Sequence, residues 1–275
     1  MKTIRSVLLH VDATPSSAAR LEFARAFALR HQAELSAMFV AGSSQVRAQK
    51  APWERPGALH QPMEWAADRA SSWLAGARVE EDTRIRWLKS SSADTVETFC
   101  QQALYADLLM LGQHDPSTGA AGGELAGFLE SVLVATDKPA LILPCAGKFE
   151  THSRNVVIGW NATPEAARAI GAALPWLRSA DRVHVLEAVD EPQQRHAGEL
   201  DIAHYLRLHA IVPELHRHRV PLSDVGAALL SLSREVGADL LVMACYRHNR
   251  LRELMLGGAS RSLLRTMTLP VLIAH

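Results

Sequence analysis

The chain contains itself twice. Arg5-Ser-Val-Leu-Leu-His-Val-Asp12-Ala-Thr-Pro15 returns as Arg154-Asn-Val-Val-Ile-Gly-Trp-Asn161-Ala-Thr-Pro164, and each block runs into an Ala/Arg/Leu-rich helical stretch, Ser16 to His31 and Glu165 to Arg178. Further on, Ala106-Asp-Leu-Leu-Met-Leu-Gly112 is echoed by Ala238-Asp-Leu-Leu-Val-Met-Ala244. Both halves then close with an apolar run after a proline, Pro139-Ala-Leu-Ile-Leu and Pro270-Val-Leu-Ile-Ala. A period of about 130–150 residues is too long for a solenoid, whose units run to roughly 20–50 residues. It indicates a duplicated domain, with residues 1–146 as the first copy, 147–153 as a linker and 154–275 as the second.

Within each copy the short runs Val7–Val11, Leu108–Leu111, Val156–Ile158, Leu240–Met243 and Val271–Ile273 are apolar without alternation. Strands covered on both faces have this character, and they belong to parallel sheets flanked by helices. Helical patterns lie between them, over Pro62–Gly76, Ser92–Ala103, Glu199–Leu208, Asp224–Val236 and Glu253–Met267. Ser92 with Asp94, and Ser223 with Asp224, supply oxygens expected to cap helix starts. Gly237 falls where a left-handed stop is needed before the next strand. The alternation predicts an α/β fold with two tandem doubly wound (Rossmann-like) domains.

Composition excludes several classes. Hydrophobic residues are 48% and charged residues 21%, enough for packed cores and contrary to a disordered chain. Lys+Arg and Asp+Glu are both 29, so no whole-chain basic field is present to hold nucleic acid or a membrane surface. Three dispersed cysteines, Cys100, Cys145 and Cys245, form no C-x-x-C pair, and no run of about 18 apolar residues occurs. A cytoplasmic, reduced setting is the expectation. Residues 42–59, with prolines at 52 and 56, form a long connection whose role stays open.

Ligands of doubly wound sheets sit at the carboxyl ends of the strands, near the switch in strand order. There the first strand of each copy delivers Asp12 or Asn161, followed by Ala-Thr-Pro. A carboxylate can accept from an adenine amino group or a ribose hydroxyl, and an amide can both donate and accept. The bland alternative is a helix start, with Thr14 or Thr163 capping and proline at the first helical position. A second candidate is the stretch from Met243 through Arg247, His248, Arg250 and Arg252 to Gly257-Gly-Ala-Ser260. Glycines and a helix N-terminus suit an anion, and a glycine pair equally serves close helix packing. The stretch is neither a Walker loop nor G-x-G-x-x-G.

The repeat, the strand–helix rhythm and the stretch from Gly237-Ala-Asp-Leu-Leu-Val-Met-Ala-Cys-Tyr to Met267-Thr-Leu-Pro-Val-Leu-Ile resemble the universal stress protein family in its tandem two-domain form. The resemblance covers nearly the whole chain, residues 42–65 being the least familiar part. It implies a mostly parallel five-stranded sheet per domain, pairing through the last strands, and ATP binding in a subset. That subset carries G-x-x-G, nine residues, then G-[ST]. The second copy offers Ala244, Arg247, Gly257 and Gly258, matching one position of four. The resemblance places Asn161, Ala162, Ala188, Ala244, Arg247, Gly257, Gly258 and Ser260 around a nucleotide. In the first copy it leaves a vestigial pocket of Asp12, Phe39 and Gly112, with Asp115 and Glu124 opposing phosphate.

Thirteen histidines invite a metal hypothesis. The group His196, His204, His209, His216 and His218 lacks helical i,i+4 pairs, although His216 and His218 would share one face of a strand. These read as solvated, and His10 and His184, inside apolar strands, as satisfied core residues. No nucleophile elbow is present, and Cys245 reads as a small buried residue. The expected function is that of a non-catalytic stress-response protein acting through association. No cofactor is required for that role; ATP or another adenine nucleotide, with Mg2+, is the implied ligand of the second domain, and an ATP-binding switch or slow ATPase is the alternative. The implied partners are the two domains for each other as an internal pseudo-dimer, a second chain as a homodimer, and an unidentified protein. Leu141–Leu143 and Val271–Ile273 are the strands expected to pair.

Overall fold

The computed structural model describes residues 4–12, 14, 16–40, 85–89, 95–114, 127–189, 200–245 and 258–274. They group into two compact units, Ile4–Lys138 and a second running from Pro139 to His275. The first holds β1 (Ser6–Val11), α1 (Ser16–His31), β2 (Glu34–Phe39), β3 (Ile85–Lys89), α2 (Thr95–Ala103), β4 (Leu108–Gly112) and α3 (Phe128–Ala135). Its strands run in the order β3-β2-β1-β4, with β1 parallel to both neighbours. The second unit holds β5 (Ala140–Leu143), β6 (Asn155–Trp160), α4 (Pro164–Leu177), β7 (Arg182–Val189), α5 (Ile202–Leu208), β8 (Pro213–Arg219), α6 (Val225–Glu235), β9 (Leu240–Ala244), α7 (Gly258–Thr266) and β10 (Val271–Ala274).

In the second unit the order is β5-β10-β9-β6-β7-β8, and every pair is parallel except β5 with β10. Among the described residues each sequence repeat supplies five strands, as the resemblance implies, and the fifth strand of the first repeat pairs with the fifth of the second, as expected. Leu141 lies opposite Leu272, and Ala140 opposite Ile273. All eight residues of this short antiparallel pair are buried, which removes its apolar face from water.

The repeat is also a packing repeat. The buried face of α1 includes Ser17, Arg20, Leu21, Ala24, Phe27 and Ala28, and that of α4 consists of Ala166, Ala169, Ile170, Ala173, Trp176 and Leu177. These sets correspond position for position at the offset that relates Asp12 to Asn161, and both follow the spacing of one helical stripe. Gln32, Ala210 and Gly237 each take a left-handed conformation just beyond a helix, with φ of 52°, 62° and 64°, and so turn the chain toward the next strand. Asp224 precedes α6 as expected, but its side chain makes no capping bond. Its Oδ1 instead accepts from the Ser223 hydroxyl at 2.9 Å. The expected helix over Pro62–Gly76, the Ser92–Asp94 cap and residues 253–257 lie outside the described residues.

The echoed Ala-Asp-Leu-Leu motif has a structural cause. Asp107 Oδ2 accepts from the backbone N–H of Arg5 and Ser6 at 2.8 and 3.0 Å, and Asp239 accepts from Arg154 and Asn155, the shortest bond being 2.7 Å. One carboxylate thereby clamps the start of β1, and the other that of β6. Asp239→Ala removes these acceptors and is expected to destabilise the second unit by about 1–3 kcal/mol. A denaturant midpoint unchanged from the parent chain would contradict this.

Candidate functional site

The switch in strand order falls between β1 and β4 in the first unit and between β6 and β9 in the second. Asp12 and Gly112 flank the first switch; Asn161 and Ala244 flank the second. The two places have opposite characters.

In the first, the α1 stripe carries Arg20 at an otherwise core position, 4% exposed. Its Nη2 donates to Asp12 Oδ2 at 2.6 Å and to Ser17 Oγ at 3.2 Å, and its Nε donates to the His10 carbonyl at 3.0 Å. The Asp12 N–H donates to Ser17 Oγ, while Asp12 Oδ1 accepts from both the backbone N–H and the hydroxyl of Thr14. Burial pushes the Asp12 carboxyl up. Arg20 foremost, then His10 and the Thr14 bonds, outweigh that push and hold it below its ordinary value. The carboxylate expected to meet a ribose or adenine is therefore engaged by its own chain.

Gly112 has a matching explanation. A Cβ there would sit 1.7 Å from Arg20 Nη1, so the glycine makes room for a guanidinium laid against the strand end. Beneath it His10 stacks on Phe128, with ring centroids 4.3 Å apart, and meets Phe99 edge-on. Burial drives the His10 pKa down to about 3, keeping the ring neutral. Phe39 is buried at the end of β2.

In the second repeat the positions of His10, Asp12, Ser17 and Arg20 are held by Gly159, Asn161, Ala166 and Ala169. Asn161 is half-buried, and its Oδ1 accepts from the Thr163 hydroxyl at 2.9 Å. Thr163 Oγ1 in turn accepts from the Ala166 N–H at 3.2 Å, the cap expected for α4 ahead of Pro164. Ala162 is exposed, with φ of 54°. Where the first repeat has His10, Gly159 lets Leu229 approach to 3.0 Å of a notional Cβ.

The remaining expected positions are scattered in character. Ala244 is buried at the end of β9, Gly258 opens α7, and Ser260 is fully buried on that helix. Arg247 and Gly257, like Asp115 and Glu124 of the first repeat, lie outside the described residues. Ala188 and Phe39 are not counterparts. Val11 pairs with Phe39 while Trp160 pairs with Glu187, so the register places Glu187 where the first repeat has Phe39. Glu187 is 3% exposed and accepts from Arg217 Nε at 2.8 Å.

Sequence reasoning missed Arg20, because an arginine on a helix ordinarily reads as solvated. The signal available was Ala169 at the corresponding position. Cys245 is buried as expected, and His10 is a core residue. His184 departs from expectation: it is buried, but its Nε2 has no hydrogen-bond partner.

A tandem pair of doubly wound α/β folds, each with a polar residue closing its first strand at the switch point, defines the class. Within that class, residues 152–275 match the model of the universal stress protein family, and the second half of the chain is a universal stress protein domain. The tandem fold extends over the whole chain. A universal stress protein from Archaeoglobus fulgidus DSM 4304 is 15% identical, covers 98% of this chain and 95% of its own, and superposes with a TM-score of 0.68. A functionally unknown protein from Pseudomonas aeruginosa PAO1, also 15% identical, covers 98% and 92%, with a TM-score of 0.63. No curated protein matches the chain.

Proposed function

We propose that this protein is a non-catalytic stress-response protein that acts through association, with one small-ligand site per chain, in the second domain. The observation that carries the reading is the contrast at the two switch points: Arg20 fills the first, while the second has Ala166 and Ala169 in place of Ser17 and Arg20. The Asp12 carboxylate is buried, paired with the Arg20 guanidinium and bonded twice to Thr14, so it is not presented to a ligand. Alanines beside Asn161 leave an amide able to donate and accept. The ligand class is an adenine nucleotide or other small anion, with Asn161, Ala162, Ala244, Arg247, Gly257 and Gly258 around it.

The functional domains in this reading are 1–146 and 154–275, joined by 147–153 and associated as an internal pseudo-dimer through their closing strands. Chains associate further as a homodimer, and the protein acts in the cytoplasm. Among the described residues no helix is long and apolar enough to cross a membrane, which fits that setting.

Calorimetric titration of the full chain with Mg-ATP tests the reading. One site per chain is expected, and Asn161→Ala should weaken it about three- to tenfold, the range of one hydrogen bond. Neither heat nor a thermal shift at millimolar nucleotide would reject the nucleotide assignment. Steady release of phosphate would replace the non-catalytic reading with that of a slow ATPase.

A further inference from the structure

β7 and β8 are parallel neighbours, and their register sets His184 opposite Glu214 and Leu186 opposite His216. Alternation along a strand puts His184, Glu214 and His216 on one face of the sheet. Their polar atoms converge. His184 Nδ1 lies 3.1 Å from His216 Nε2 and 3.3 Å from Glu214 Oε2, and one ligand atom from each residue falls within 4.8 Å of the others.

Hydrogen bonding alone serves this group poorly. A single ring nitrogen of His184 carries either one proton or one lone pair, yet it faces two acceptor-capable atoms at bonding distance. The Nδ1 edge of the His184 ring thus faces the cluster. Its other nitrogen is buried without a partner, so every polar contact that orients the ring lies on the Glu214–His216 side.

We propose that His184, Glu214 and His216 bind a divalent transition-metal cation of the zinc class. Two imidazoles and a carboxylate form the donor set of a three-ligand zinc site with a fourth position open. Ligands about 2.0–2.1 Å from a tetrahedral ion lie about 3.3–3.4 Å apart, close to the two separations at His184. An oxygen-poor set of this kind disfavours Mg2+ and Ca2+. Coordination through His184 Nδ1 leaves the ring proton on the buried Nε2, and metal–ligand bonding exceeds the cost of one unpartnered N–H. Glu214 is 62% exposed at its side chain, so the ion enters from the solvent side of β8. Once bound, it ties the outermost strand of the second unit to β7.

The test uses the full, untagged chain after chelator treatment, titrated with Zn2+ alone and separately with Co2+. A saturable site with one ion per chain is expected, and its Co2+ form should show the strong visible absorption of tetrahedral coordination. His216→Gln and Glu214→Gln, both at accessible positions, should each weaken binding about ten- to a hundredfold or more. His204→Gln on α5 should leave it unchanged. Absence of a saturable site would overturn the proposal. So would a site whose affinity and Co2+ spectrum survive both the Glu214 and the His216 substitutions.

Discussion

Replacing Arg20 with alanine is expected to destabilise the first unit by about 3–5 kcal/mol, the cost of stranding a buried charge without its partner. The side chains of Arg20 and Asp12 are both 3% exposed, so water does not take over the lost contact. The His10 carbonyl loses its Arg20 donor as well. A double variant, Arg20→Met with Asp12→Leu, removes both charges and should recover part of the loss. Full recovery is not expected, because the Thr14 N–H then lacks its acceptor. Denaturant unfolding of the parent chain, Arg20→Met, Asp12→Leu and the double variant gives the coupling energy. A single-variant loss under about 0.5 kcal/mol, the range of ordinary surface substitutions, would mean that the cluster is not sealed and would undercut the closed first pocket.

Acidification should weaken the first unit well before its carboxylates titrate. His10 holds a folded-state pKa of about 3 against an unfolded value of 6.5. The unfolded chain therefore takes up a proton below about pH 6.5 that the folded chain refuses. Stability is fully present above that value and falls as the pH descends toward 3. At pH 5 the loss from His10 alone is about 2 kcal/mol, from 1.36 kcal/mol per unit of pKa. Asp12, also depressed in the folded state, adds its own loss only as the pH drops below the ordinary carboxylate value. His10→Phe keeps an aromatic ring against Phe99 and Phe128 and should flatten the profile between pH 6.5 and 5. If the variant and the parent chain lose stability in parallel over that interval, His10 is not the group responsible.

The duplicated architecture was legible because both copies write the same strand–turn–helix with little drift. Buried strands and apolar helical stripes are strong signals, and α1 falls on the very residues expected. What escaped was whatever depends on a neighbour in space. Arg20 looks like any exposed helix arginine until its stripe is laid over that of α4. The resemblance put Phe39 and Ala188 in the two pockets, whereas strand register makes Glu187 the counterpart of Phe39. His184 was read from its own apolar strand, and only the pairing of β7 with β8 brings it to Glu214 and His216. The pairing of β5 with β10 was expected, but from the resemblance: two four-residue apolar strands after prolines carry no mark of their own of which sheet each completes.

That placement of β5 has a consequence for how the two copies can evolve. Strands that pair between separate, identical chains do so at the mercy of dilution, and a change to one alters both partners at once. Here β5 and β10 reside on one polypeptide, so their meeting depends on tethering rather than on protein abundance. Their sequences, Ala-Leu-Ile-Leu and Val-Leu-Ile-Ala, already differ. Covalent fusion frees each copy to mutate independently without dissolving the partnership. One copy can then turn its strand ends into a fixed internal ion pair while the other keeps its small side chains, a division of labour closed to a symmetric homodimer.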